Sequence, residues 1–211
     1  REAGVSFDEI QSPEDLSKVP FTRKQDLRDG YPFGFFAVPL AEVVRIHTTS
    51  GTTGKPTVVG YTKKDLENWA GLIARNLTMV GLKPGDVFQN MVNYGMFTGG
   101  LGFHYGAEKI GLTVVPGGTG NTRRQIEMIE DFGVTAIHCT PSYAMHLAEV
   151  AEEMKTDLPT LKTGLFGAEP WSDSLRGELE HRLGVTAYDS YGLSELYGPG
   201  VAFECQEREG L

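Results

Sequence analysis

Short apolar, β-branched runs alternate along this chain with longer segments whose apolar residues recur every three or four positions. The clearest helical segment has apolar residues stepping by 3, 4, 4 and 3, at Leu66, Trp69, Ile73, Leu77 and Val80. Strand-like runs that alternate with helical segments indicate βαβ units. The sequence therefore predicts an α/β fold, with a mostly parallel sheet flanked by helices.

The predicted elements begin only after about residue 40. Prolines interrupt the region 1–40, which is predicted to form an irregular N-terminal arm with brief helices. The α/β region is predicted to occupy 41–211. Within it, strands are predicted at 42–47, 57–61, 86–92, 112–115, 134–139, 163–166 and 185–188, and helices at 63–80, 122–132, 141–154 and 173–183.

Charge and cysteine content exclude several classes of protein. The chain has 19 Lys and Arg against 28 Asp and Glu, a net charge of −9, and no basic stripe of the kind that binds nucleic acid. Only Cys139 and Cys205 are present, neither in a paired metal motif, which favours a reducing cytoplasm. No apolar run reaches membrane-spanning length, and we expect no membrane partner. Because the chain starts at Arg1, we expect it to be part of a longer gene product.

The most informative segment is the polar turn 48–56 between the first two predicted strands. It holds five hydroxyl side chains, two glycines and Lys55. Backbone amides, hydroxyls and a lysine are typical of a polyphosphate site. It is not a Walker A loop, because only two residues separate Gly51 from Gly54 and Pro56 follows in place of a helix. A kinase or ATPase and a plain polar hairpin are the alternatives.

Three further segments follow predicted strands, where α/β proteins bind ligands. Residues 189–195 end in Glu195, a candidate Mg²⁺ ligand whose alternative is a solvated surface acid. The small residues at 167–170 leave room for a flat ring, although they would also suit a simple turn. Tyr94, Phe97 and two adjacent glycines suggest an aromatic pocket, with core packing as the alternative. Because no acid or base lies nearby that would bind a ring substituent, the segment favours an unsubstituted arylacetate or benzoate-type acid.

At these segments the chain resembles a known family. Ser50–Pro56 is similar to the phosphate-binding signature of acyl-adenylate-forming enzymes. The resemblance narrows to the phenylacetate–CoA ligase family at 45–47, 57–62, 94–102, 104–106, 140–143, 166–171 and 191–195, in the expected order. It implies the large N-terminal domain of such an enzyme. In this family a carboxylate attacks ATP to give acyl-AMP and pyrophosphate, and the thiol of coenzyme A then displaces AMP.

The resemblance also implies a site. Its cofactors are ATP, Mg²⁺ and coenzyme A, and its substrate is an aromatic acid, with phenylacetate foremost. Phosphate contacts are implied for Ser50, Gly51, Thr52, Thr53, Gly54 and Lys55, and catalytic roles for Lys55, Ser194 and Glu195, with Glu195 as the Mg²⁺ ligand. The resemblance implies nucleotide contacts from Gly167, Ala168, Glu169, Pro170, Asp189, Tyr191 and Gly192. It implies acyl contacts from Tyr94, Phe97, Gly99 and Gly100.

Other parts of the family pattern lie beyond residue 211. Relatives continue with a smaller C-terminal domain that brings a catalytic lysine, so we expect the 211 residues alone to turn over poorly. A non-catalytic nucleotide-binding module of the same fold is the alternative, and a homodimer stays open. The five histidines show no zinc motif. Cys205 is either a ligand of a structural metal completed further along the chain or an inert thiol.

Overall fold

The computed structural model describes residues 4–49 and 55–211. The predicted phosphate-binding residues Ser50, Gly51, Thr52, Thr53 and Gly54 lie outside the described residues. Among those described, no helix is long and apolar enough to cross a membrane.

The first forty residues form only short helical segments. These are single turns at Phe7–Glu9, Pro13–Lys18 and Leu40–Glu42, together with helix α1 at Lys24–Asp29. None of the last three has a buried residue. The arm nevertheless reaches the rest of the protein, because the ring of Phe36 packs so closely on Gly60 that a Cβ there would overlap it.

An antiparallel ribbon follows the arm. It consists of β1, Val43–Thr48, and β2, Val58–Thr62. Strand β2 runs directly into helix α2, Lys63–Met79. The helix begins with a capping box, in which the Thr62 amide donates to Asp65 Oδ2 at 2.9 Å and the Asp65 amide donates to Thr62 Oγ1 at 3.2 Å.

The main sheet has six strands and confirms the predicted mostly parallel α/β architecture. Its order is β4-β3-β5-β6-β7-β8, and only the β7–β8 pair is antiparallel. The strands are β3 Val87–Asn90, β4 Thr113–Val115, β5 Ala136–Cys139, β6 Thr163–Gly167, β7 Thr186–Leu193 and β8 Gly198–Phe203; the remaining helices are α3 Gly99–Lys109, α4 Thr122–Phe132, α5 Pro141–Met154 and α6 Asp173–Leu183.

Each face of this sheet carries its own hydrophobic core, because side chains alternate along the strands. Helices α4, α5 and α6 cover one face, where Ile126, Leu147 and Leu179 are fully buried. Helices α2 and α3 cover the other face, around Trp69 and Phe103. Between these two cores, the carboxyl ends of the parallel strands lie side by side at the same end of the sheet.

Two elements differ from the sequence prediction. Helix α3 was not predicted, because its glycines argue against a helix. They are needed for packing, since a Cβ at Gly102 would overlap Trp69 and one at Gly106 would overlap Ile73. The strand predicted at 185–188 is longer in the structure, because β7 spans Thr186–Leu193 and its second half pairs with β8.

Candidate active site

A cavity of about 350 Å³ opens at the carboxyl ends of β3, β5, β6 and β7. Ligands of open α/β sheets bind at such an edge, and the volume is typical of a small-molecule site. The cavity is lined by Val92, Asn93, Phe97, Thr98, Gly99, His138, Cys139, Thr140, Gly167, Ala168, Ser190, Gly192, Leu193, Ser194, Gly198 and Pro199.

The predicted acyl-binding residues divide into two groups. Phe97 and Gly99 line the cavity where helix α3 begins. Gly100 is buried instead, and a Cβ there would lie 2.6 Å from the carbonyl oxygen of Asn93, so its role is to let α3 approach the preceding loop. The Tyr94 hydroxyl is also engaged below the helix, 2.9 Å from Asn90 Nδ2. Burial raises the pKa of Tyr94 above its ordinary value.

The end of β6 supplies one wall of the cavity. Gly167 and Ala168 line it, whereas Glu169 and Pro170 do not. Gly167 allows β7 to come close, since a Cβ would overlap Ser190. Ala168 has a φ of +70°, an unusual conformation for a residue with a side chain. The Glu169 carboxylate accepts a hydrogen bond of 2.6 Å from the Ser142 amide and so caps helix α5.

The end of β7, the strand next to β6, supplies the adjacent part of the wall. Gly192 and Ser194 line the cavity, and the Ser194 hydroxyl lies 3.5 Å from the Thr98 hydroxyl. Tyr191 projects outward and is 51% exposed. The Asp189 backbone bonds to Glu204, the residue after β8, and Asp189 does not line the cavity, so its nucleotide contact stays a prediction.

Glu195 and Lys55 are not among the residues that line the main cavity. Glu195 borders a second space of about 540 Å³ between the arm and the β1–β2 ribbon, which Asp65 also lines. The Lys55 ammonium lies 5.1 Å from the centre of the Tyr31 ring, a cation–π contact. Ser194 and Glu195 are neighbours in the chain, and each borders a different one of the two spaces.

The residues present fit Mg²⁺ only as an ion shared with a phosphate. Among the described residues no three His, Cys, Asp or Glu side chains cluster as metal ligands. Mg²⁺ typically takes one or two protein carboxylates together with substrate phosphates, so Glu195 alone would suffice. At Cys205 the adjacent Glu204 carboxylate is occupied by Arg176 and is no free ligand for a structural metal.

His138 is a cavity residue that the sequence analysis missed. It lies on β5, its Nδ1 is 2.8 Å from Asn90 Oδ1, and its ring stacks on Phe103 with centroids 3.7 Å apart. Burial lowers the pKa of His138 to about 3, so the imidazole is neutral. No motif in the sequence identifies this histidine, because its partners come from two other elements.

These features define the class of protein. A family model described as AMP-binding enzyme matches residues 14–210, and the chain belongs to that family. The resemblance found in the sequence is thereby confirmed.

Particular relatives are close. The chain is 53% identical over 208 residues to the phenylacetate-coenzyme A ligase of Pseudomonas putida, covering 98% of this chain and 47% of the relative. Against the Escherichia coli K12 phenylacetate-coenzyme A ligase the identity is 54%, covering 97% and 48%. The solved structure of 2-hydroxyisobutyryl-CoA ligase with 2-HIB-AMP and CoA matches with a TM-score of 0.93 at 31% identity, covering 98% of this chain and 46% of that one. The chain thus spans about half the length of these relatives.

Proposed function

We propose that this protein provides the ATP- and acid-binding half of an AMP-forming acid–CoA ligase that acts on an aromatic carboxylic acid, with phenylacetate as the reference substrate. One observation carries the proposal. A single cavity collects residues expected to contact the acyl group, Phe97 and Gly99, with residues expected to contact the nucleotide, Gly167, Ala168 and Ser194. The relatives named phenylacetate-coenzyme A ligase support the choice of acid.

The proposed reaction has two steps. In the first, a carboxylate oxygen of the acid attacks the α-phosphorus of ATP, the bond from that phosphorus to the bridging oxygen breaks, and pyrophosphate leaves. In the second, the sulfur of coenzyme A attacks the acyl carbon, the thiol loses its proton, and AMP leaves. Two anions must meet in the first step, so the site has to position them and offset their repulsion.

The chain's own groups match these requirements. The hydroxyl of Ser194 is a candidate donor to the α-phosphate, and Thr98 lies beside it. Phe97 offers an apolar face to an aryl ring at the other side of the cavity. Lys55 and the loop before it are proposed to hold the β and γ phosphates. Mg²⁺ held by Glu195 would neutralise charge on the phosphates.

The deciding experiment is acid-dependent exchange of radiolabelled pyrophosphate into ATP. We expect phenylacetate to support exchange in the complete product of the gene, with AMP and pyrophosphate as net products once coenzyme A is added. Release of ADP would favour the kinase or ATPase alternative. Nucleotide binding without any acid-dependent exchange would favour the non-catalytic binding module.

A matched pair of variants tests the proposed metal ligand. Glu195→Gln should abolish exchange, because the amide keeps the shape but loses the charge that would hold Mg²⁺. Glu127→Gln, at an exposed position on α4, removes the same charge far from the cavity and should leave exchange unchanged. Equal activity in the two variants would contradict the role of Glu195. The cytoplasmic location and a homodimer stay predictions.

A further inference from the structure

Five side chains form a continuous hydrogen-bonded row from the surface to the cavity. His104 Nε2 is 3.1 Å from Glu108 Oε1, and His104 Nδ1 is 3.2 Å from the Tyr94 hydroxyl. That hydroxyl is 2.9 Å from Asn90 Nδ2, and Asn90 Oδ1 is 2.8 Å from His138 Nδ1. The row starts on the exposed side of α3 and ends at the cavity wall.

The direction of the hydrogen bonds that Asn90 and His138 make follows from one carbonyl group. The Gly100 carbonyl oxygen can only accept, and it lies 2.8 Å from the Asn90 side-chain nitrogen. The nitrogen of the amide must therefore face Gly100, and its second hydrogen goes to the Tyr94 hydroxyl. The amide oxygen is left facing His138, so His138 Nδ1 carries the proton and donates to it.

His138 Nε2 is consequently a bare acceptor. A neutral imidazole carries one proton, which Nδ1 holds, and burial keeps this ring neutral by lowering its pKa. Among the described residues none makes a hydrogen bond to Nε2. The residue lines the cavity between Thr98 and Ser190, and its ring is fixed in place by stacking on Phe103.

We propose that His138 Nε2 accepts a hydrogen bond from an O–H or N–H group on the acid bound in this cavity, so that the protein prefers aryl acids that carry such a donor over phenylacetate itself. This inference rests on the proposed function, in which the cavity binds an aryl acid. Asn90 and Tyr94 are positioning residues, since they act through His138 and fix which of its nitrogens is bare.

The size of the preference follows from exchanging water for a substrate hydroxyl at Nε2, because this nitrogen is not one of the buried side-chain atoms without a partner. A ring that carries no donor either leaves that water in place or displaces it without replacing its hydrogen bond. A substrate hydroxyl within reach satisfies it directly. One neutral hydrogen bond corresponds to about a five- to tenfold change in affinity.

The experiment compares phenylacetate with its 3-hydroxy and 4-hydroxy derivatives by pyrophosphate exchange in the complete gene product. We expect kcat/KM for at least one hydroxylated acid to exceed that for phenylacetate by about five- to tenfold. His138→Phe keeps a ring to stack on Phe103 but removes the acceptor, so the hydroxylated acids should lose their advantage over phenylacetate in this variant. The same substitution at exposed His181 should leave the ratio intact.

A binding measurement keeps the inference testable if His138→Phe fails to fold. In ¹⁵N-histidine-labelled wild-type protein, the Nε2 resonance of His138 should report a bare nitrogen, and it should shift on saturation with the preferred hydroxylated acid but not with phenylacetate. In Asn90→Leu the proton of His138 should no longer be fixed on Nδ1, so the spectrum should show protonated Nδ1 and protonated Nε2.

Two results would overturn the inference. One is equal kcat/KM for all three acids, or a preference that His138→Phe leaves unchanged. The other is an Nε2 resonance already protonated in the free protein. Failure of every acid to support exchange would count against the proposed function instead, and the nitrogen resonance with bound hydroxylated acid would then decide the inference by itself.

Discussion

The salt bridge between Arg176 and Glu204 fastens helix α6 to the β7–β8 hairpin. The Arg176 guanidinium donates to both Glu204 oxygens, at 2.8 and 2.9 Å, and to the Ala187 carbonyl oxygen at 2.8 Å. The Glu204 side chain is only 5% exposed, and it also accepts from the Asp189 amide at 2.8 Å. Replacing Arg176 by Met would leave a buried carboxylate with a single backbone donor.

The size of the loss follows from that uncompensated charge. Removing one partner of a buried ion pair costs about 3–5 kcal/mol, and we expect about 3 kcal/mol because the Asp189 amide still donates. For a chain of this size that is a fall in melting temperature of roughly 6–12 °C. The double variant Arg176→Met/Glu204→Met removes both charges, so most of the lost stability should return.

Urea unfolding followed by circular dichroism measures the effect, and the protein offers a matched control. Arg182 also donates two hydrogen bonds to one carboxylate, from Nε and Nη2 to Glu152 at 2.7 and 2.8 Å, and a third of 3.3 Å to the exposed Glu178. The Glu152 side chain is 58% exposed, so water solvates its charge when Arg182→Met removes the partner. Arg182→Met should therefore lower stability far less than Arg176→Met. Equal losses in the two variants, or no recovery in the double variant, would refute the reasoning.

Three further predictions concern packing, pH and the acid. Gly106→Ala should destabilise the protein by about 1–3 kcal/mol, because the new methyl group meets Ile73. Gly177→Ala has open space around it and should stabilise the protein by up to about 1 kcal/mol. The midpoints of urea unfolding measure both effects. The free energy of unfolding should fall as pH drops from about 6.5 towards 3, by about 1.4 kcal/mol per pH unit from His138 alone. The reason is that the unfolded chain protonates this histidine, whereas in the folded protein its pKa is about 3 and it stays neutral. His138→Phe should remove this contribution when urea unfolding is measured from pH 7 to pH 4. Phe97→Ala should raise the KM for phenylacetate about fivefold with little change in kcat, and an unchanged KM would place the ring elsewhere.

Much of the fold could be predicted because its signals are local. The helix predicted at 122–132 is found at Thr122–Phe132, and the one at 141–154 is found at Pro141–Met154, each preceded by a side chain that caps it. Helix α3 and strand β8 could not be predicted in the same way. The glycines of α3 are unfavourable for a helix and make room for Trp69 and Ile73, whereas Gly198 and Gly200 of β8 have φ values of +101° and +96° that favour glycine.

The site likewise contains residues that could be predicted from local sequence and one residue that could not. Glycines and hydroxyls at strand ends can be recognised in sequence, and Phe97, Gly167 and Ser194 do line one cavity. His138 could not be recognised, because its state depends on Asn90, which lies 48 positions away in the chain on the neighbouring strand. A residue whose chemistry is set by tertiary partners gives no signal in its own segment.

The close seating of helix α3 against α2 has a consequence for how this protein can change. Side chains at Gly102 and Gly106 are excluded by Trp69 and Ile73, so the helix has no room to shift or roll on its neighbour. The cavity wall that begins at Phe97 is therefore held in a fixed position by the packing of α3 on α2. Other acids would be accommodated by changing cavity side chains near that wall, such as Val92 and Phe97, while helix α3 keeps its place. Variants made to change the acid that this protein binds should therefore be made at those positions.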